Sequence, residues 1–108
     1  TNNILPSGRL GGGLSLRIVF GMVDDKDINT VMEMLPDFAT YYFTQASTHR
    51  AIPVDKISTY AASHNLHGTC FSNVYDAYRA AIAVASQYDF IFIAGSSYVV
   101  ADLLTALQ

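Results

Sequence analysis

The chain has 108 residues, of which 51% are apolar and 14% charged, and six Lys/Arg against nine Asp/Glu give a formal net charge of −3. That length fits one domain, the apolar content excludes disorder, and no run approaches the roughly 18 apolar residues of a membrane span. A mildly acidic chain without a Lys/Arg cluster is a poor candidate for nucleic-acid binding, and no basic amino end precedes an apolar run, so no signal peptide is expected.

Residues 1–13 hold Pro6, Gly8 and the triplet Gly11-Gly12-Gly13, with neither helical nor strand periodicity, and read as a linker or an incomplete amino-terminal segment. A phosphate loop there would need a strand before it and a helix after it, and neither is present in the pattern. Residues 14–108 read as one domain. Residues 16–20 form a short continuous apolar run ended by Gly21, the pattern of a strand buried on both faces. Asp24, Asp25 and Asp27 crowd a helix start, where carboxylates cap free N–H groups. Ile28, Val31, Met32 and Leu35 follow at helical spacing, and Pro36 stops that helix.

Residues 39–43 predict a second strand, and 44–50 a polar loop. Pro53 opens a helix with Ile57, Tyr60, Ala61 and His64 on its apolar side. Residues 69–71 predict a short third strand in which Cys70 packs as a small apolar residue. Ser72 or Asn73 caps the next helix, whose stripe is Val74, Ala77, Tyr78, Ala81, Ile82 and Ala85. Residues 90–94 predict a fourth apolar strand. Gly95-Ser96-Ser97 then turns into a helix with Val100, Leu103, Leu104 and Leu107 on one face. Strands alternating with helices predict a parallel sheet with right-handed crossovers: a Rossmann-like three-layer α/β/α sandwich of about four βα units.

In such sheets ligands bind outside the carboxyl ends of the strands. The loops there carry Lys26, the segment from Thr44 to Arg50, and Gly95-Ser96-Ser97. The last is a cradle for a carboxylate or phosphate at a helix amino end, or an ordinary serine cap. Lys26 either neutralises an anion at the same edge or is a solvated helix residue. The three nearby acids fit a Mg²⁺ site, but helix capping explains them more simply. Arg50 either grips a carboxylate in a bidentate fork or lies on the surface. His64 and His67 have metal-ligand spacing but no further ligand nearby, so no metal site is expected. No catalytic triad is legible. Cys70, the single cysteine, cannot form an intrachain disulfide and suggests a reducing, cytoplasmic setting. The charged fraction falls below the usual quarter. Either part of the surface is covered, or it is neutral and rich in Ser, Thr, Asn and Tyr.

Phe20-Gly21-Met22-Val23 with Asp25-Lys26-Asp27-Ile28, the stretch from Thr40 to Ser47 with Arg50-Ala51, and the stretch from Asp89 to Asp102 resemble three motifs of one family in the same order. That family is bacterial bifunctional folylpolyglutamate synthase/dihydrofolate synthase, of the Mur ligase superfamily, and the resemblance is to its carboxy-terminal domain. His49 stands where the family usually has Pro, and Ala94 where Gly is common. The resemblance implies an ATP-dependent ligase that activates a folate or dihydropteroate carboxylate as an acyl phosphate and joins L-glutamate to it. It implies that a central domain of the same parent chain carries the P-loop and the Mg²⁺ ligands. It also implies that Lys26, Ser96 and Ser97 face the glutamate carboxylates and phosphate. The sequence holds no G-x-x-x-x-G-K-[ST] stretch and no D-G-A-H-N-P-like stretch before the first strand. This chain is therefore expected to be an excised domain, inactive alone and without ATP or Mg²⁺ of its own. The alternatives are a stand-alone α/β module that binds a small anion, and a structural or oligomerisation domain.

Overall fold

The computed structural model describes residues 15–23, 27–86 and 89–108. The glycine-rich segment 1–13 lies outside these residues, as do Asp24, Asp25 and Lys26.

Strands and helices alternate strictly: β1 (Leu16–Gly21), α1 (Ile28–Met34), β2 (Thr40–Phe43), α2 (Val54–Ser63), β3 (Gly68–Cys70), α3 (Val74–Val84), β4 (Phe90–Gly95) and α4 (Ser97–Ala106). The sheet order is β3-β2-β1-β4, and every pairing is parallel. The chain thus winds outward from β1 to β3, then crosses back to place β4 on the other side of β1. That reversal is the topological switch point of a doubly wound sheet.

Alternating side chains sort the core into two layers. Ile18 and Phe20 of β1 and Tyr41 and Phe43 of β2 meet Ile28 and Met32 of α1 and Ile57 and Ala61 of α2. On the opposite face Val19 and Tyr42 meet Ala77 and Ala81 of α3, while Val74, Val99 and Leu103 close a smaller cluster between α3 and α4. Tyr41 and Phe43 stack at 5.5 Å between ring centroids, and the Tyr41 hydroxyl donates to the Pro36 carbonyl at 2.6 Å.

Most element boundaries follow local chemistry. Pro36 forces Leu35 into extended backbone, so α1 stops at Met34. Asn73 caps α3 by accepting the Asp76 N–H at 2.8 Å, and its amide donates back to the Asp76 carboxylate at 3.0 Å.

Three expectations fail, and β4 has an exposed face that its apolar run does not reveal. Asp27 sits at the start of α1, but its side chain makes no capping hydrogen bond. Cys70 is exposed rather than packed, because β3 is a three-residue edge strand whose residues are all exposed. Phe90 and Phe92 are 52% and 53% exposed, because β4 is the opposite edge. The buried face of α4 is Val99 and Leu103, and Val100, Leu104 and Leu107 point outward. Among the described residues no helix is long and apolar enough to cross a membrane.

Candidate functional site

The carboxyl ends of β1, β2 and β4 meet at one edge. Gly21 ends β1 opposite Gly95, the last residue of β4. The Ser96 N–H donates to the Gly21 carbonyl at 3.1 Å, and the Thr44 N–H to the Phe20 carbonyl at 2.9 Å. Both glycines are required by this closeness. A Cβ on Gly21 would lie 2.8 Å from the Thr44 carbonyl oxygen. Gly95 has a φ of +109°, and a Cβ there would run into the Gly21 carbonyl.

Helix α4 starts at this junction. Ser96 is its N-cap residue, yet the side chain makes no capping hydrogen bond. Its Oγ is buried without a hydrogen-bond partner among the described residues, as is Oγ1 of Thr44 at the end of β2. The serine-cap reading of Gly95-Ser96-Ser97 is therefore incorrect for Ser96. A buried hydroxyl without a partner is costly, and this one stands where the first-turn amides of Ser97 and Tyr98 precede any helical acceptor. Ser97 itself is exposed on the first turn. Such an end accepts a carboxylate or phosphate. Lys26, the cation expected to share this edge, lies outside the described residues.

The β2–α2 loop is the second component, and its fastenings were not legible in the sequence. Both Asp102 carboxylate oxygens are used: the Ser47 N–H donates to Oδ2 at 2.7 Å and the Ser47 Oγ to Oδ1 at 2.9 Å. At its far end the Val54 N–H donates to Gln45 Oε1 at 2.8 Å, and the Ile52 N–H donates to the Met22 carbonyl at 2.9 Å. Val23 and Ala51 form an antiparallel bridge. The loop that carries His49 and Arg50 is thus tied to β1, α2 and α4. Only contacts between residues distant in sequence reveal this, since Ser47 and Asp102 are 55 positions apart.

The described residues contain no group of three metal ligands. His64 instead shares a 3.1 Å hydrogen bond between its Nε2 and Asn29 Oδ1. The sequence holds no P-loop motif, and Asp24 and Asp25, read above as fitting Mg²⁺, lie outside the described residues. What the described edge offers is hydrogen-bond donors at the start of α4.

A doubly wound α/β/α domain with a donor-rich switch point is the class that fold and site define. Among solved structures the likeness narrows to folylpolyglutamate synthase/dihydrofolate synthase. The chain is 28% identical to the bifunctional enzyme from Yersinia pestis complexed with AMPPNP and Mn ion. The TM-score is 0.73, over 87% of this chain and 22% of that one. A structure of the bifunctional enzyme with Mn, AMPPNP and L-glutamate bound gives 29% identity and a TM-score of 0.69, over 85% and 22%. E. coli FolC in complex with DHPP and ADP shares the fold at 23% identity and a TM-score of 0.70, over 85% and 22%. The chain spans about a fifth of the length of these enzymes. No protein family and no curated protein matches it.

Proposed function

We propose that this chain is the carboxy-terminal, glutamate-side domain of an ATP-dependent ligase that joins L-glutamate to dihydropteroate or folate through an acyl phosphate. The observation that carries the reading is the likeness to the Yersinia pestis enzyme over 87% of the chain, at a TM-score of 0.73. The site supports it: the open amino end of α4 and the buried Ser96 hydroxyl suit an anionic group. In this reading Ser96, Ser97 and Lys26 hold the glutamate carboxylates and the phosphate side. ATP and Mg²⁺ belong to a central domain of the parent chain, which docks over this edge. The parent enzyme works in the cytoplasm, and the isolated chain is inactive.

The test is made in the full-length parent enzyme. Lys26→Ala or Ser96→Ala should raise the glutamate KM or lower kcat by about 10–100-fold, the equivalent of one or two charge-assisted hydrogen bonds. The ATP KM should change less. Normal use of glutamate by both folded variants overturns the assignment. The chain alone, given ATP, Mg²⁺, glutamate and dihydropteroate, should release phosphate at background. Turnover that survives re-purification overturns the claim of inactivity.

A further inference from the structure

We propose a second anion site in the cavity of about 430 Å³ lined by His49, Arg50, Ala51, Ile52, Pro53 and Lys56, with a small dicarboxylate as its ligand. This site shares no residue with the Ser96/Ser97 end of α4 and does not rest on the ligase reading.

Charge is scarce in this chain, which makes its placement informative. It has six Lys/Arg in all and a net charge of −3. Arg17 is bound to Asp89 and Tyr42, and Arg79 lies 5.9 Å from the centre of the Tyr75 ring. Arg50 and Lys56 line one cavity together, and neither is ion-paired among the described residues. Asp55, the nearest acid in sequence, is not among the residues that line this cavity; it lines the adjoining hollow, which shares Pro53 and Lys56 with the cavity. The backbone of the loop in the cavity wall is fixed before any ligand arrives. The Ser47–Asp102 pair, the Gln45 side chain and the Ile52–Met22 hydrogen bond all hold the loop. A prefixed backbone lowers the ordering cost of binding.

The lining also selects the shape of the ligand. Arg50 presents a planar fork that matches a carboxylate, and Lys56 a mobile point charge. Between them in sequence lie the apolar residues Ala51, Ile52 and Pro53, which also line the cavity. Two carboxylates joined by a short hydrocarbon linker use all three features. Inorganic phosphate concentrates its charge at one point and leaves the apolar lining unused.

Glutarate and inorganic phosphate serve as probes, titrated into the full chain while backbone amide shifts are followed by NMR. Glutarate should give saturable shifts at residues 49–56 below about 10 mM, and phosphate should bind at least about tenfold more weakly. Raising salt should weaken the glutarate affinity of the unaltered chain several-fold. The double variant Arg50→Gln, Lys56→Gln should weaken it at least about tenfold, while Arg79→Gln, on α3 beside Tyr75, leaves it unchanged. Absence of saturation, insensitivity to salt or to the double variant, or equal binding of phosphate overturns the proposal. Shifts centred on Ser96 and Ser97 overturn it too, while leaving the α4 site intact.

Discussion

β1 and β4 are paired neighbours with nearly the same composition, LRIVFG beside FIFIAG, and opposite environments. In β1, Val19 and Phe20 are 0% and 1% exposed. In β4, Phe90 and Phe92 are more than half exposed. Phe92 lies opposite Ile18 in the register, so the two side chains share one face of the sheet. The difference comes from topology. The units that follow β1 wind toward β2 and β3, so α1 and α2 build the core layer on that face with β1 and β2, and only Ala94 of β4 packs against it. A continuous apolar run specifies a strand. The neighbours that the fold assigns to it decide whether it is buried.

The largest expected effect tests the buried half of this contrast. Phe20→Ala should cost about 3–5 kcal/mol, the usual range for removing a fully buried ring, read from urea unfolding. A loss below about 1 kcal/mol would mean that the β1 core layer is not formed as described.

The junction at the carboxyl ends comes next. Gly95→Ala forces a non-glycine residue to a φ of +109° and drives its Cβ into the Gly21 carbonyl. Strain of that kind costs about 1–3 kcal/mol before the clash is counted, so a loss of about 3 kcal/mol is expected. That corresponds to a Tm lower by more than about 10 °C. An unchanged Tm would show that β1 and β4 are not locked at this end.

The alternation of elements was legible because each apolar run and each helical stripe is local, and Pro36, Asn73 and the glycines mark the boundaries. The layers that depend on distant neighbours were not. Nothing near Phe90, Cys70 or Leu104 in sequence says that β4 and β3 are edges or that α4 turns Leu104 outward. For the candidate site, Ser96 and Ser97 were singled out by their place after an apolar run. The loss of the capping role at Ser96 needed its hydrogen bonds. The Ser47–Asp102 tie and the cavity beside Arg50 needed the fold.

The amino ends of the same two strands offer a pH test. Arg17 near the start of β1 donates through Nε to Asp89 at 2.9 Å and through a guanidinium nitrogen to the Tyr42 hydroxyl at 2.8 Å. The Asp89 side chain is buried next to β4. Burial alone would raise the Asp89 pKa. The Arg17 hydrogen bond and those from Ser86 outweigh it and hold the carboxyl below its ordinary value. A pKa lower in the folded than in the unfolded chain gives stability that is complete above the ordinary Asp value near about 4 and is lost as pH falls through the folded value. Asp89→Asn should therefore cost about 1–3 kcal/mol at neutral pH and flatten the acid limb of the stability profile. An acid limb identical to that of the unaltered chain would exclude the pair as its source.

The smallest expected effect is the most discriminating for the comparison, because it concerns the residue type with which the series began. Phe92→Ser removes a ring from the same sheet face as Phe20, one strand over. Its side chain is 53% exposed, and its ring contact is with Phe90, 6.3 Å away between centroids. The surface it buries is therefore about half of what Phe20 buries, and on an edge strand without a helix layer over it the loss should be about 1 kcal/mol. Serine also lowers strand propensity slightly, which sets the sign as a small loss. Exposed aromatic pairs on an uncharged edge strand promote association, so the variant should also stay monodisperse to higher concentration in light scattering. A loss above about 2 kcal/mol would show that Phe92 is covered in solution, by another part of the chain or by a second copy. Repeating the unfolding curve at several protein concentrations separates these, since only coverage by a second copy makes the midpoint depend on concentration.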